Sequence, residues 1–204
     1  MASPPVVSQP AFQLVPLGDG PESGAGHSEA ELIVRARTSP DSFAVLYRRH
    51  YPAIVRYIRR RVGDEHIASD LVAETFMTAL EHLPTYQDRG LPFRSWLYRL
   101  ATSRVSRWAR RLPRNDIQGV EEMALEATRA RHAGDPRTEL ARRALLSLPA
   151  RYQDTLALHY LEGLSVEEVA RALDTRVGTI KARLARGRDK LRSKLAPYAE
   201  EFLR

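Results

Sequence analysis

The 204-residue sequence predicts an all-α chain made of two small helical domains joined by a flexible linker. Apolar residues recur at three- and four-residue steps through two separate stretches, as helices with one buried face require. No run alternates apolar and polar residues between hairpin turns, so no sheet is expected. Apolar residues make up 43% of the chain and aromatic ones only 7%, which suits small helical cores better than a sandwich or a barrel.

Residues 1–27 carry five prolines and four glycines with hardly any charge, a composition that disfavours helix and predicts a disordered tail. Helical rhythm begins near Ser28, with Ala30, Leu32, Ile33 and Val34, and continues through Phe43, Leu46, Tyr47, Ile54, Val55 and Ile58. A break at Gly63 and Asp64 precedes a third helix bearing Ile67, Leu71, Val72, Phe76, Leu80 and Leu83, which should end before Pro84. Residues 85–91 read as a polar loop, and a fourth helix is expected over about 92–112, with Pro92 suited to its first turn. The first domain is thus residues 28–112, followed by an acidic linker, 113–137, punctuated by Pro, Gly, Asn and Asp. The second domain, 138–197, resumes the rhythm through Leu140, Ala144, Leu145, Leu148, Tyr152, Leu156, Leu158, Leu161 and Leu164, leaving 198–204 as a short C-terminal end.

The 32 Lys and Arg against 25 Asp and Glu give a formal charge of +7, which points to a polyanionic partner. With no cysteine, disulfides, thiolate metal sites and cysteine nucleophiles are excluded. The six histidines lack metal-ligand spacing, and no glycine loop could cradle a phosphate, so neither a cofactor nor an enzyme is expected. No stretch is long and apolar enough to span a membrane, and the N-terminus lacks a secretory pattern, so a cytoplasmic protein without membrane insertion is expected.

Residues 166–184 fit a helix-turn-helix. Such a unit needs a small residue where its helices cross, a turn residue tolerant of left-handed backbone, and a branched apolar plug on the second helix. Ala170, Asp174 and Ile180 fill these places, with Val169, Leu173, Val177 and Leu184 completing the buried stripe. The second helix then presents Lys181, Arg183, Arg186, Arg188, Lys190, Arg192 and Lys194 against one acid, Asp189, which suits a phosphate backbone.

Residues 91–114 carry seven arginines and no acid, interleaved with Phe93, Trp96, Tyr98 and Trp108. Phe93, Trp96, Leu97, Leu100, Val105, Trp108 and Leu112 share one helical face, which places most of the rings in the core. The arginine face opposite reads as a nucleic-acid surface, where nearby rings could stack on unpaired bases. Asp70, Glu74 and Glu81 form an acidic ridge on the preceding helix, whose simplest reading is a solvated face.

Two blocks now resemble a known family. Residues 70–76 (DLVAETF) with 93–101 (FRSWLYRLA) look like region 2 of extracytoplasmic-function sigma factors, the smallest sigma-70-type proteins. Residues 146–149 (LSLP), 160–163 and 177–184 (VGTIKARL) look like region 4. The resemblance implies binding to core RNA polymerase, through its clamp and flap, and to promoter DNA, and it leaves room for an anti-sigma factor. Asp70, Glu74, Thr75 and Phe76 would then meet core polymerase. Tyr86, Gln87, Arg94, Trp96, Arg99, Ser103 and Arg107 would handle the minus-ten element, and Arg176, Thr179, Lys181, Ala182, Ala185 and Arg186 the minus-thirty-five element. Ser103 stands where many relatives have Asn, and Arg176 where many have Pro. A free-standing helix-turn-helix regulator is the alternative, but it leaves the arginine-aromatic first domain without a use.

Overall fold

A computed structural model of the chain describes residues 28–62, 64–87, 92–111 and 136–198. The expected tail, 1–27, and almost all of the expected linker, 113–137, lie outside the described residues. Within them the first domain holds α1 (Glu29–Ala36), α2 (Pro40–Val62), α3 (Glu65–His82), a 3-10 turn (Leu83–Thr85) and α4 (Phe93–Arg111). The second holds α5 (Pro136–Leu146), α6 (Ala150–Leu156), a π-helical turn (Ala157–Leu161), α7 (Val166–Ala172) and α8 (Val177–Leu195), closed by a 3-10 turn (Ala196–Tyr198). No strand occurs among the described residues.

Local chemistry sets most of the boundaries. Ser28 caps α1 in a capping box, its hydroxyl accepting from the Glu31 amide while the Glu31 carboxylate accepts from the Ser28 amide. Asp64 caps α3 by accepting from the Ile67 amide at 2.9 Å, which explains why the Gly63-Asp64 pair breaks the rhythm there. Pro84 lets α3 tighten into a 3-10 turn but not continue. The second domain starts at Pro136, inside the span assigned to the linker, because proline is tolerated at a helix's first position.

In the first domain α2 lies against α1, α3 and α4, and α3 packs on α4. Leu46, Ile54, Tyr57, Ile58, Val62, Leu71, Phe76, Leu83, Phe93, Leu97 and Val105 fill the space between them. Leu148, Leu156, Leu158, Leu164, Val169, Ile180 and Leu184 fill the second domain. The two interiors join: α7 packs against α4, and the buried residues of both halves form one continuous apolar cluster. Among the residues assigned to apolar stripes, Ala30, Val34, Leu80, Leu161 and Val177 are exposed.

Candidate nucleic-acid interface

The helix-turn-helix forms as its residues require. Ser165 caps α7 in a second capping box with Glu168. At the other end the Asp174 amide donates to the Arg171 carbonyl at 3.2 Å and the Thr175 amide to that of Ala170 at 2.8 Å. This pair of bonds needs a left-handed residue, and Asp174 supplies it with φ of +49°, the only side-chain-bearing residue with positive φ among those described. Ala170 is buried at the crossing and Ile180 plugs the joint with no exposure at all. Further along α8, Gly187 lies flat on α6: a Cβ there would stand 3.1 Å from Leu156 Cδ1. That packing fixes which side of α8 faces outward. Arg176, Thr179, Lys181, Ala182, Ala185 and Arg186 are all exposed, so they form one accessible face.

The first domain divides its candidates differently. Tyr86, Phe93 and Trp96 pack against one another at tilted and edge-to-face angles, with ring centroids 4.8 Å apart for Tyr86 and Trp96 and 5.2 Å for Phe93 and Trp96. Arg37 donates to the Tyr86 carbonyl at 2.6 Å, so the entry to the 85–91 loop is tied to α1. Gln87 is exposed, and residues 88–91 lie outside the described residues. Arg99, Ser103 and Arg107 are exposed on α4, Arg99 within 3.4 Å of Asp174, whereas Arg94 is half-buried against the second domain.

Asp70 and Glu74 are exposed on α3, and Arg104 approaches Glu74 at 3.5 Å. Thr75 and Phe76, assigned with them to a polymerase contact, are instead interior. The Thr75 side chain is fully buried and its hydroxyl donates to the Leu71 carbonyl at 2.6 Å. Phe76 meets Tyr47 edge to face at 4.6 Å. With Leu71, Val72 and Ala79 they lie on the helical stripe that α2 and α4 cover, so no partner can reach them without unfolding α3. The outward face carries Met77 and Leu80 beside the two acids, a mixed surface that the periodicity did not single out.

Between the domains lies a set of polar contacts that sequence reasoning missed. Arg94 grips Glu168 with two nitrogens, at 2.8 and 3.1 Å. Burial opposes ionisation of Glu168, but hydrogen bonds from Arg94 and from the Ser165 amide outweigh it and hold its carboxyl below the ordinary value. Glu162 accepts from Arg56 at 3.0 Å, Arg60 at 2.6 Å and the Tyr98 hydroxyl at 2.9 Å. Asp154 accepts from the Tyr57 hydroxyl at 3.2 Å, with Arg61 Nε 2.9 Å away. Burial pushes the Asp154 carboxyl up, against the nearby Arg61 charge, and pushes the Tyr57 and Tyr98 phenols up as well. Gln153 accepts from Arg61 and donates to the Leu146 and Leu148 carbonyls at 2.6 Å each, anchoring α6 to the end of α5. A cavity lined by His50, Arg56, Arg94, Tyr98 and Glu162 opens at the same seam. The run of arginines at 59–61 was the available signal, but a helix face rich in arginine reads equally well as solvated.

Among the described residues no group of three or more His, Asp and Glu side chains could hold a metal ion, and no helix is long and apolar enough to cross a membrane.

Comparison with known proteins accords with this geometry. The Sigma-70 region 2 family matches residues 46–115 and the Sigma-70 region 4 family matches residues 138–191. The ECF RNA polymerase sigma factor SigE of Mycolicibacterium smegmatis is 32% identical over 170 residues, covering 78% of this chain and 64% of that protein. BldN of Streptomyces coelicolor, another ECF sigma factor, is 32% identical over 74% of this chain and 60% of its own. The chain thus spans less than two thirds of these two relatives, but it covers 96% of the RNA polymerase sigma factor YlaC of Bacillus subtilis, at 28% identity. CnrH, solved in complex with the cytosolic domain of CnrY, shares the fold with a TM-score of 0.63 at 24% identity, over 81% of this chain and 96% of that one. The Bartonella quintana sigma factor RpoE, solved with the anti-sigma factor NepR, does so at 0.58 and 20%, over 76% and 96%. A region 2 domain followed by a region 4 domain defines the sigma-70 class. The chain belongs to the extracytoplasmic-function group of that family.

Proposed function

We propose that this protein is a promoter-specificity subunit: it binds core RNA polymerase in the cytoplasm, carries it to a promoter and starts strand opening there. The observation that supports this best is the pairing, in one chain, of an exposed basic helix-turn-helix face on α8 with an arginine-aromatic helix, α4, on a separate domain. A free regulator needs only the first of these. In this reading residues 28–112 act at the minus-ten element and residues 138–197 at the minus-thirty-five element. Arg176, Thr179, Lys181, Ala182, Ala185 and Arg186 enter the major groove, where an arginine can read guanine with two bonds. Tyr86, Gln87, Arg94, Trp96, Arg99, Ser103 and Arg107 serve strand opening. Asp70 and Glu74, with Met77 between them and Leu80, meet the polymerase clamp, and the second domain meets the flap. CnrH and the RpoE of Bartonella quintana were each solved with a partner protein, and an anti-sigma factor is proposed here by analogy with them.

Run-off transcription tests the reading. Core polymerase plus this protein should give discrete transcripts from genomic promoter fragments, and either component alone should give none. Tight, specific binding to a palindromic site without polymerase, and no transcript with it, would overturn the proposal.

A further inference from the structure

α4 begins without a cap of its own. Pro92, the residue before it, has no side-chain acceptor, so it offers the Phe93 amide no local cap. Glu29, on α1, takes that role from a distance. Its Oε2 accepts from the Phe93 amide at 3.3 Å and its Oε1 from His50 Nε2 at 3.0 Å, with Arg49 4.0 Å away. The His50 bond outweighs burial and holds the Glu29 carboxyl below its ordinary value, so an anion faces the positive end of α4. At the far end of α1, about 12 Å along its axis, Arg37 donates to the Tyr86 carbonyl at 2.6 Å. α1 is itself fixed, since Ser28 caps it and Leu32, Ile33 and Ala36 are buried where it packs on α2. Both contacts act on one ring cluster. Tyr86 meets Phe93 edge to face at 5.4 Å and Trp96 at 4.8 Å, and His50 closes on Phe93 at 5.6 Å. Phe93 is buried, whereas Tyr86 and Trp96 are half-buried and keep part of their surface in solvent.

We propose that α1 is a brace for strand opening: Glu29 and Arg37 are positioning residues that hold Tyr86 and the start of α4 together, and so keep Tyr86 and Trp96 set as a platform for an unpaired base. The inference rests on the reading of the first domain as the strand-opening one. Stacking on aromatic rings suits any base, but rings that must be ordered on contact take that cost out of the binding. Neither brace residue belongs to the buried core, so truncating both removes ring placement and leaves the helices packed.

The chain has two tryptophans, Trp96 and Trp108, so Trp108→Phe leaves Trp96 as the sole reporter of the cluster. In that background Glu29→Ala with Arg37→Ala should shift Trp96 emission to the red and raise its quenching by acrylamide, at unchanged helix content. Glu29→Gln with Arg37→Lys keeps an acceptor for the Phe93 amide and a donor for the Tyr86 carbonyl, and should return both readings to those of the parent. Should the truncated pair unfold the domain, Arg37→Ala alone frees Tyr86 and should show the same shift. With core polymerase on a promoter fragment, the truncated pair should be recruited as the parent is. It should open the strands about tenfold more slowly, the change in rate that one lost charge-assisted hydrogen bond makes. The conservative pair should open at the parent's rate. Trp96 readings that truncation leaves unchanged, a loss shared equally by recruitment and opening, or a conservative pair as slow as the truncated one would each overturn the inference. The Trp96 readings use neither polymerase nor promoter. A parent that never yields transcripts while Trp96 responds as expected would therefore count against the proposed function and not against the brace.

Discussion

Single residues carry several of the geometric requirements. Gly187 has Leu156 against its open side, at the depth of α6, so Gly187→Val should lower stability by about 2–3 kcal/mol in chemical denaturation. Gly178 has nothing near it, so Gly178→Ala should raise stability by up to about 1 kcal/mol through backbone entropy alone. Glu168 gives a pH signature. Its folded-state value lies below 4.5, so its contribution is complete above pH 4.5 and fades as the pH falls through the depressed value. Thermal melts of wild type and Glu168→Gln should differ near neutrality and converge in acid. Asp154 works in the opposite sense, because its raised value favours the folded state as pH falls; a gap that widened in acid would refute the assignment to Glu168. At this scale much was legible in the sequence. Ala170, Asp174 and Ile180 stand where the helix-turn-helix pattern puts them, because that pattern is local and each position has a strict steric demand. Gly187 was not legible, since a helical glycine shows its reason only once the partner helix is in place.

At the scale of elements, α8 and α4 should fail at different steps. Arg186→Ala should weaken recruitment to the duplex by about 1–3 kcal/mol if the side chain grips guanine with two bonds. Ser103→Ala or Arg107→Ala on α4 should leave recruitment nearly intact and impair opening. Filter binding beside permanganate reactivity of unpaired thymines separates the two, and a premelted template should rescue only the α4 variants. Equal losses in both assays for both helices would end this division of labour. Helix positions were readable because capping residues, prolines and the 3.6-residue rhythm are written locally. The faces were readable only in part. Thr75 and Phe76 sat inside a motif that resembles a binding surface, yet their spacing from Leu71 and Val72 already placed them on the buried stripe. Arg94 read as open to solvent because Glu168, which it grips, is 74 positions away in the chain.

At the scale of the molecule, two domains were expected, and the helical architecture and the sigma-70 regions bear that out. What periodicity could not convey is that α7 lies on α4 and that the two interiors run together. Contacts between distant segments leave no mark on local spacing. Scanning calorimetry of the free protein should therefore show one transition, with the calorimetric and van't Hoff enthalpies in agreement. Two resolved peaks would mean that the seam adds no cooperativity. The buried carboxylate of Glu162 carries a consequence of another kind. Arginines from α2 and a tyrosine from α4 close on it, so the heat resistance of the first domain is partly lodged in a residue of the second. Genetic changes near that residue would surface as temperature-sensitive loss of promoter opening, with the faulty residue outside the opening domain.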